Sequence, residues 1–343
     1  MQTNDFGAQK ILAHPDKITN YFEGKEKTII VFEIYMSSKC DAKCPKCFRK
    51  DNIIEPCELS LKEVKNYLKQ LKDFGAKAVI FSGGGEPLIC RDTPSAMSFA
   101  KRIGLNVGLN TNGMNLHKGF INLELLAANC DFIRISLDAG DFKMYQRTHG
   151  MKEKIFDEVV SNIKEIISVR NKLNSKTVIG AGYLTGKDTS GIEDMEKFVI
   201  LCREIGLDFA HFRPFHWDFI SISEQLGILK RKYAHEIKIL ASDQKYNYFN
   251  KINGLSNVCH GIHFFTVIGA DKHVYACCHL AEDRKYSLGT LENKSFKDIW
   301  KNRRDIFKII DTSKCVPFCR CCNINRDIDY ILKISENSHV NFL

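Results

Sequence analysis

Three cysteines fall within eight residues, Cys40-Asp-Ala-Lys-Cys44-Pro-Lys-Cys47. Thiolates at this spacing in one short loop wrap one face of a cubane iron–sulfur cluster and ligate three of its irons. A closed zinc site takes four ligands, and the next cysteine, Cys57, stands ten residues further on. Three ligands leave one iron open. An open position lets a metal centre bind a substrate or cofactor directly.

A second group lies in the tail. Cys259 and Cys277 flank FFTVI–GADKH–VYAC, which reads as a β-hairpin, and Cys319 and Cys322 form a CxxC pair. Two ligands from a hairpin and two from a CxxC make a closed four-cysteine site, either an iron–sulfur cluster or a structural zinc ribbon. Cys315 is the rival ligand, and Cys278 and Cys321 are spare. The chain of 343 residues has 14 cysteines, and only Cys57, Cys90, Cys130 and Cys202 stand apart from these groups. Cys202 follows an apolar helical run and reads as a small buried apolar residue.

The rest of the composition narrows the class. The N-terminal MQTNDFGAQKILAHPDK has no apolar core of a signal peptide, and no stretch suits a membrane span. A cytoplasmic location is expected, where cysteines are metal ligands or catalytic groups more often than disulfides. The net charge of +9 reads as a lysine-rich solvated surface, and no basic run has the density of a nucleic-acid groove. About 44% of the residues are apolar, enough for a large core.

Strands are expected over 28–36, 78–82, 105–110, 132–137, 177–184 and 208–213. Helices fall between them, notably 153–172. Ser60 with Glu63 forms a capping box, with Gly75 as that helix's stop. Ser190 with Glu193 caps another helix, and a helical segment covers 221–242. Six strand–helix alternations argue for parallel strands with helices packed outside, as an open sheet or a partial barrel. A helix begins at SFKDIW, capped by Ser295. The division expected is an N-terminal extension 1–27, a first domain 28–245 and a cysteine-rich domain 246–343.

The Cys40-x3-Cys44-x2-Cys47 loop after the first strand resembles the signature of the radical SAM superfamily. Three further segments support the resemblance, each after a successive strand. Ser82-Gly83-Gly84-Gly85-Glu86-Pro87 is similar to the element that binds the amino group of S-adenosylmethionine (SAM). There glycines let backbone approach the ligand, and Glu86 offers a carboxylate to an ammonium. Asn110-Thr111-Asn112-Gly113 and Ser136-Leu137-Asp138-Ala139 resemble segments lining the same pocket. Where the family often has an aromatic residue before the third cysteine, this chain has Lys46, and Phe48 is the aromatic that would pack on adenine. The tail resembles the twitch form of the SPASM extension. The resemblance implies a partial (β/α)6 TIM-like barrel with a small C-terminal hairpin and helix domain. It also implies a SAM-binding [4Fe–4S] cluster on Cys40, Cys44 and Cys47, and one auxiliary [4Fe–4S] cluster on Cys259, Cys277, Cys319 and Cys322.

In this family a reduced cluster splits SAM to methionine and a 5′-deoxyadenosyl radical, which abstracts a hydrogen from the substrate. An auxiliary cluster nearby could accept an electron from the substrate radical, making the net reaction an oxidation. The expected partners are a small polar substrate, such as a sugar or aminocyclitol, and a flavodoxin- or ferredoxin-type electron donor. Tyr183 and Arg213 are the candidate substrate-side groups, the latter as a bidentate grip on an anion or an aid to deprotonation. A peptide substrate is the alternative, against which the short segment before Cys40 argues. A zinc- and cluster-binding protein without catalysis is the other, and it would not need the motifs at 83–86 and 136–138.

Overall fold

The computed structural model describes residues 8–49, 54–216, 218–242, 246, 258–315, 319 and 321–335. Its frame is a ten-stranded sheet in the order β10-β9-β8-β1-β2-β3-β4-β5-β6-β7. The strands are β1 Val31–Tyr35, β2 Ala78–Ser82, β3 Asn106–Thr111, β4 Phe132–Ser136, β5 Val178–Thr185, β6 Phe209–Pro214 and β7 Lys238–Ala241, followed by β8 Phe265–Ile268, β9 His273–Tyr275 and β10 Ser287–Thr290. Neighbours from β8 through β1 to β7 pair in parallel, and β8–β9 and β9–β10 are antiparallel.

The helices between them are α1 Pro15–Phe22, α2 Leu61–Phe74, α3 Thr93–Arg102, α4 Leu123–Asn129, α5 Phe142–His149, α6 Glu153–Lys172, α7 Ile192–Ile205 and α8 Ser223–Lys232. Beyond the hairpin come α9 Phe296–Lys301, α10 Arg304–Lys308 and α11 Cys321–Ser335. Ser60 accepts from the Glu63 amide while Glu63 accepts from the Ser60 amide, the reciprocal cap expected for α2. Gly75 ends α2 at φ +108°, a left-handed conformation that glycine adopts without strain.

Strand parity sorts the side chains. Phe32 and Ile34, Val79 and Phe81, Ile133 and Ile135, and Ala210 and Phe212 enter the main core, which also holds Leu68 of α2, Ile163 of α6 and Phe198 of α7. The opposite face is the inner one. There Phe132 covers Gly108 and Phe209 covers Gly180, at glycines where a Cβ would strike the rings. One step along β5, the Arg213 guanidinium lies over Gly182, and Glu33 accepts from Ser82 across β1 and β2 at 3.3 Å.

Several expectations need correcting. The helix expected over 221–242 is α8 followed by a seventh parallel strand, β7. Tyr233, at the end of α8, starts the turn that separates them. The N-cap of α7 is Gly191, and Ser190 makes no cap bond. The hairpin between Cys259 and Cys277 forms as expected, but β8 hydrogen-bonds to β1, so the tail extends the main sheet. The boundary expected near 245 lies outside the described residues. Among the described residues no helix is long and apolar enough to cross a membrane.

Candidate active site

The cysteine loop leaves the C-terminal end of β1, and side chains from several directions pin it. Gly85 and Glu86 donate backbone N–H groups to the carbonyls of Ser37 and Lys39 at 3.2 and 2.8 Å. Asn112 and Asn115, after β3, donate to the two oxygens of Asp41 at 2.7 and 2.6 Å. Lys46 reaches Asp218, beyond β6, at 2.8 Å and Asp188, beyond β5, at 3.5 Å. Its ammonium also lies 4.9 Å from the Phe215 ring centre. Arg49 donates to the Ala281 carbonyl in the tail at 2.6 Å and pairs with Glu282. Lys46 is thus an anchor of the loop where the family often has an aromatic residue.

Within the loop Cys40 and Cys47 are exposed and Cys44 is half-buried, all as free thiols. Withdrawal from water pushes the Cys40 thiol up to about 11 and Cys44 up to about 12, with carboxylates at Glu86 and Asp138 adding to the effect. Binding iron must therefore displace their protons. Among the described residues no three His, Cys, Asp or Glu side chains converge on a point, as ligands of one ion would. A cubane takes each thiolate on a separate iron, so three thiols spread along one loop suit it.

Glu86 does something other than wait for an ammonium. Its carboxylate is 3% exposed and accepts from the Leu88 amide at 3.0 Å, the Thr111 hydroxyl at 2.6 Å and the Asn112 amide at 2.8 Å. It welds the loop after β2 to the loop after β3, with room for one further donor. Burial raises its carboxyl to about 7. The glycines also differ from expectation. A Cβ on Gly85 would enter the Lys39 carbonyl, one on Gly84 the Glu282 carboxylate and one on Gly83 the Gly85 carbonyl. Their bareness serves the protein's own close packing.

Asp138 follows β4 at φ +50°, buried, with Oδ1 unpartnered and Oδ2 4.0 Å from His149. Burial raises its carboxyl and lowers His149. His149 lies 3.0 Å from the Ser136 carbonyl and stacks on Tyr145 at 4.4 Å. The Oδ1 of Asn110 is also buried without a hydrogen-bond partner. Two unused acceptors at the ends of β3 and β4, beside an open three-thiol loop, fit a ligand with amino and hydroxyl donors such as SAM. Sequence reasoning missed Asp41, Asn115 and His149. Asp41 lies between the cysteines themselves, and Asn115 follows the Asn-Gly turn at 112–113.

Tyr183 is a correction. It follows Gly182 on β5 and so faces the helices. Its ring packs against Phe198 and Phe212, and its hydroxyl donates to the Thr189 carbonyl at 2.8 Å. It belongs to the core. Arg213 stays on the inner face, near enough to Asp138 to favour its carboxylate. Phe48 is half exposed, 5.9 Å from the His279 ring and 6.3 Å from His216, which stand 4.6 Å apart. It lies at the junction with the tail.

In the tail, Cys259, Cys277, Cys278 and Cys321 are buried with Tyr35, Phe265 and Ile310. Cys321 sits against Cys259 and Cys319, donating its backbone N–H to the Cys319 sulfur at 3.4 Å, and the shared proton of this thiol group pulls Cys259 and Cys319 down and pushes Cys321 up. Against the opposing effect of burial, the neighbouring Cys278 and Cys319 push His279 up to about 10. Burial pushes Cys322 and Cys315 up to about 12. Cys321, read as spare, sits nearer Cys259 and Cys319 than the sequence suggested, because α11 starts at it against Gly261. Residues 316–318 and 320 lie outside the described residues.

The sequence model of the radical SAM superfamily matches residues 34–199, and that of SPASM, an iron–sulfur cluster-binding domain, matches 259–323. The chain belongs to the radical SAM superfamily. As a radical SAM enzyme it takes a [4Fe–4S] cluster and SAM, and its SPASM segment takes further iron–sulfur ligation. A Fe-coproporphyrin III synthase of Methanosarcina barkeri is 30% identical over 132 residues, 38% of this chain and 32% of that protein. An AdoMet-dependent heme synthase of the same organism is 21% identical over 320 residues, 85% of this chain and 87% of that one. Streptococcus suis SuiB bound to its precursor peptide SuiA superposes with a TM-score of 0.65 at 16% identity, covering 88% of this chain and 70% of SuiB. That likeness shows the fold.

Proposed function

We propose that this radical SAM enzyme removes a hydrogen atom from a small, polar, anionic substrate in a net oxidation, for which an auxiliary [4Fe–4S] cluster held in the tail would supply the acceptor of the second electron while the substrate gives up a proton. Cys40, Cys44 and Cys47 would hold the SAM-binding cluster, which when bound supplies the electron that splits the sulfonium and releases a 5′-deoxyadenosyl radical. Asp41, Asn112 and Asn115 orient that loop, and Glu86 holds the neighbouring loops at a fixed spacing. Asn110 and Asp138 offer acceptors to the cofactor's polar groups. Cys259, Cys277, Cys319 and Cys322 would hold the second cluster, with Cys315 as the rival ligand.

The observation that carries the substrate class is Arg213 over Gly182 on the inner face of β6, at the strand's C-terminal end. A guanidinium there brings positive charge to that end of the sheet, which suits a carboxylate or phosphate. Sugars, aminocyclitols and their phosphates are of that polar class. Two relatives carry the names of tetrapyrrole products, which supports testing a tetrapyrrole beside them. A peptide is the second reading, since SuiB, of the same fold, binds one. A flavodoxin- or ferredoxin-type protein is the proposed electron donor.

The test is deuterium transfer. The reduced enzyme is offered deuterated sugar phosphates, aminocyclitols and tetrapyrroles, and separately peptides encoded near its gene. Deuterium in 5′-deoxyadenosine with a small anionic molecule supports the proposal. Transfer from a peptide alone overturns it.

A further inference from the structure

Arg49 follows the last cysteine of the SAM-cluster loop by two residues, and Glu282 follows Cys277 of the tail by five. Their side chains are 4% and 3% exposed and form an ion pair across the junction of the two cysteine regions. Other contacts flank the pair. Arg49 also donates to the Ala281 carbonyl at 2.6 Å and lies over the rings of Phe48 and Tyr35, 5.6 and 5.7 Å from their centres. Glu282 holds φ at +69°, a left-handed conformation uncommon for a residue with a Cβ. Its carboxylate occupies the space that a side chain on Gly84 would fill. Three segments that carry chemistry therefore meet at one buried pair: the cluster loop, the glycine loop and the tail.

A buried ion pair is weak ground for stability, because apolar residues of similar volume serve as well, while removing one partner leaves a charge uncompensated. What a pair adds over an apolar contact is direction: a planar guanidinium donates to its carboxylate in a fixed geometry. Strain at Glu282 and the bare backbone at Gly84 are both costs accepted to keep that geometry. We infer that Arg49 and Glu282 are positioning residues that fix the SAM-cluster loop relative to the auxiliary-cluster site, and so set the separation of the two clusters. The inference rests on the two-cluster reading above.

The experiment compares reconstituted wild type with E282Q and with the paired variant R49M/E282L, whose apolar replacements keep the junction filled if E282Q fails to fold. Iron content, SAM affinity by the SAM-induced change in the cluster EPR signal, and the spin–spin interaction between the two reduced clusters are measured. The expected result is full iron in R49M/E282L, SAM binding weakened at least tenfold, and a weaker, broader spin–spin interaction than in wild type. R49K, which keeps the charge but loses the fork, should fall between. Wild-type SAM affinity and an unchanged spin–spin interaction in R49M/E282L would overturn the inference. A wild type that shows only one cluster overturns the two-cluster reading instead, and the inference with it.

Discussion

In the loop 40–49 Cys40 and Cys47 are exposed residues, and polar groups from the loops after β3, β5 and β6 and from the tail hold the side chains between and beside them. In the tail the order is reversed. Cys259, Cys277 and Cys321 are buried among Tyr35, Ile262 and Phe265, and the thiols crowd against one another and beside His279. An open metal centre needs a rigid loop with a free face, so its fixings are polar and come from outside. A closed centre excludes solvent, so its fixings are apolar and its ligands crowd together. The contrast separates a site built to bind a cofactor from one built to keep a cluster dry.

The sharpest way to break this contrast is to empty one side. Replacing Cys40, Cys44 and Cys47 together by Ala should remove about four irons and abolish SAM cleavage, while the tail keeps its cluster. Iron analysis and 5′-deoxyadenosine assay check both halves; undiminished 5′-deoxyadenosine refutes the assignment of the loop. If the remaining metal is stoichiometric zinc after anaerobic reconstitution, the tail is a zinc ribbon.

The next effect concerns protons. Burial raises Glu86 from 4.5 to about 7, so between those values the folded protein holds a proton that the unfolded chain has lost. Its contribution to stability is full below pH 4.5, declines as pH rises to about 7 and is level above. The change amounts to about 3 kcal/mol, and E86Q should lack it. Urea unfolding of both proteins across that range, without SAM, is the measurement, and parallel curves would count against the raised carboxyl.

Smaller effects sharpen the polar side of the contrast. Asp41→Ala frees Asn112 and Asn115 and should weaken SAM binding about tenfold, as loss of charge-assisted hydrogen bonds does. An EPR titration with SAM reads this, and unchanged affinity would mean the loop is rigid without it. Tyr183→Phe removes one buried hydrogen bond and should cost about 1 kcal/mol with SAM cleavage untouched. A fall in 5′-deoxyadenosine formation would return Tyr183 to the site.

The parallel strands were legible because each is a short apolar run bounded by turn residues, as in AVIFS before Gly83. β7 was not, since KILA continues the apolar period of α8 and only pairing with β6 makes it a strand. β10 has half-buried residues and is likewise defined by its partner. In α11 the adjacent cysteines drew the eye from a helical face bearing Cys321, Asn325 and Ile328. The cysteine loop and the segments after β2, β3 and β4 were readable because their residue types are local and dense. Tyr183 was misplaced by strand parity: Gly180 and Gly182 mark the inner face, and the residue between or after them must turn away. The junction of Arg49 with Glu282 was invisible because nothing local signals a partner so distant along the chain.

β1, which precedes the other described strands, has β2 on one side and β8, which follows all of β2 to β7, on the other. During synthesis its second edge therefore stands bare until β8 has emerged. An uncovered strand edge invites pairing with other chains, and closing so long a loop is slow. The loop after β1 carries Cys40, so the site's final surroundings arise only once the tail has docked, and iron delivery to a nascent or truncated chain would meet an unfinished socket.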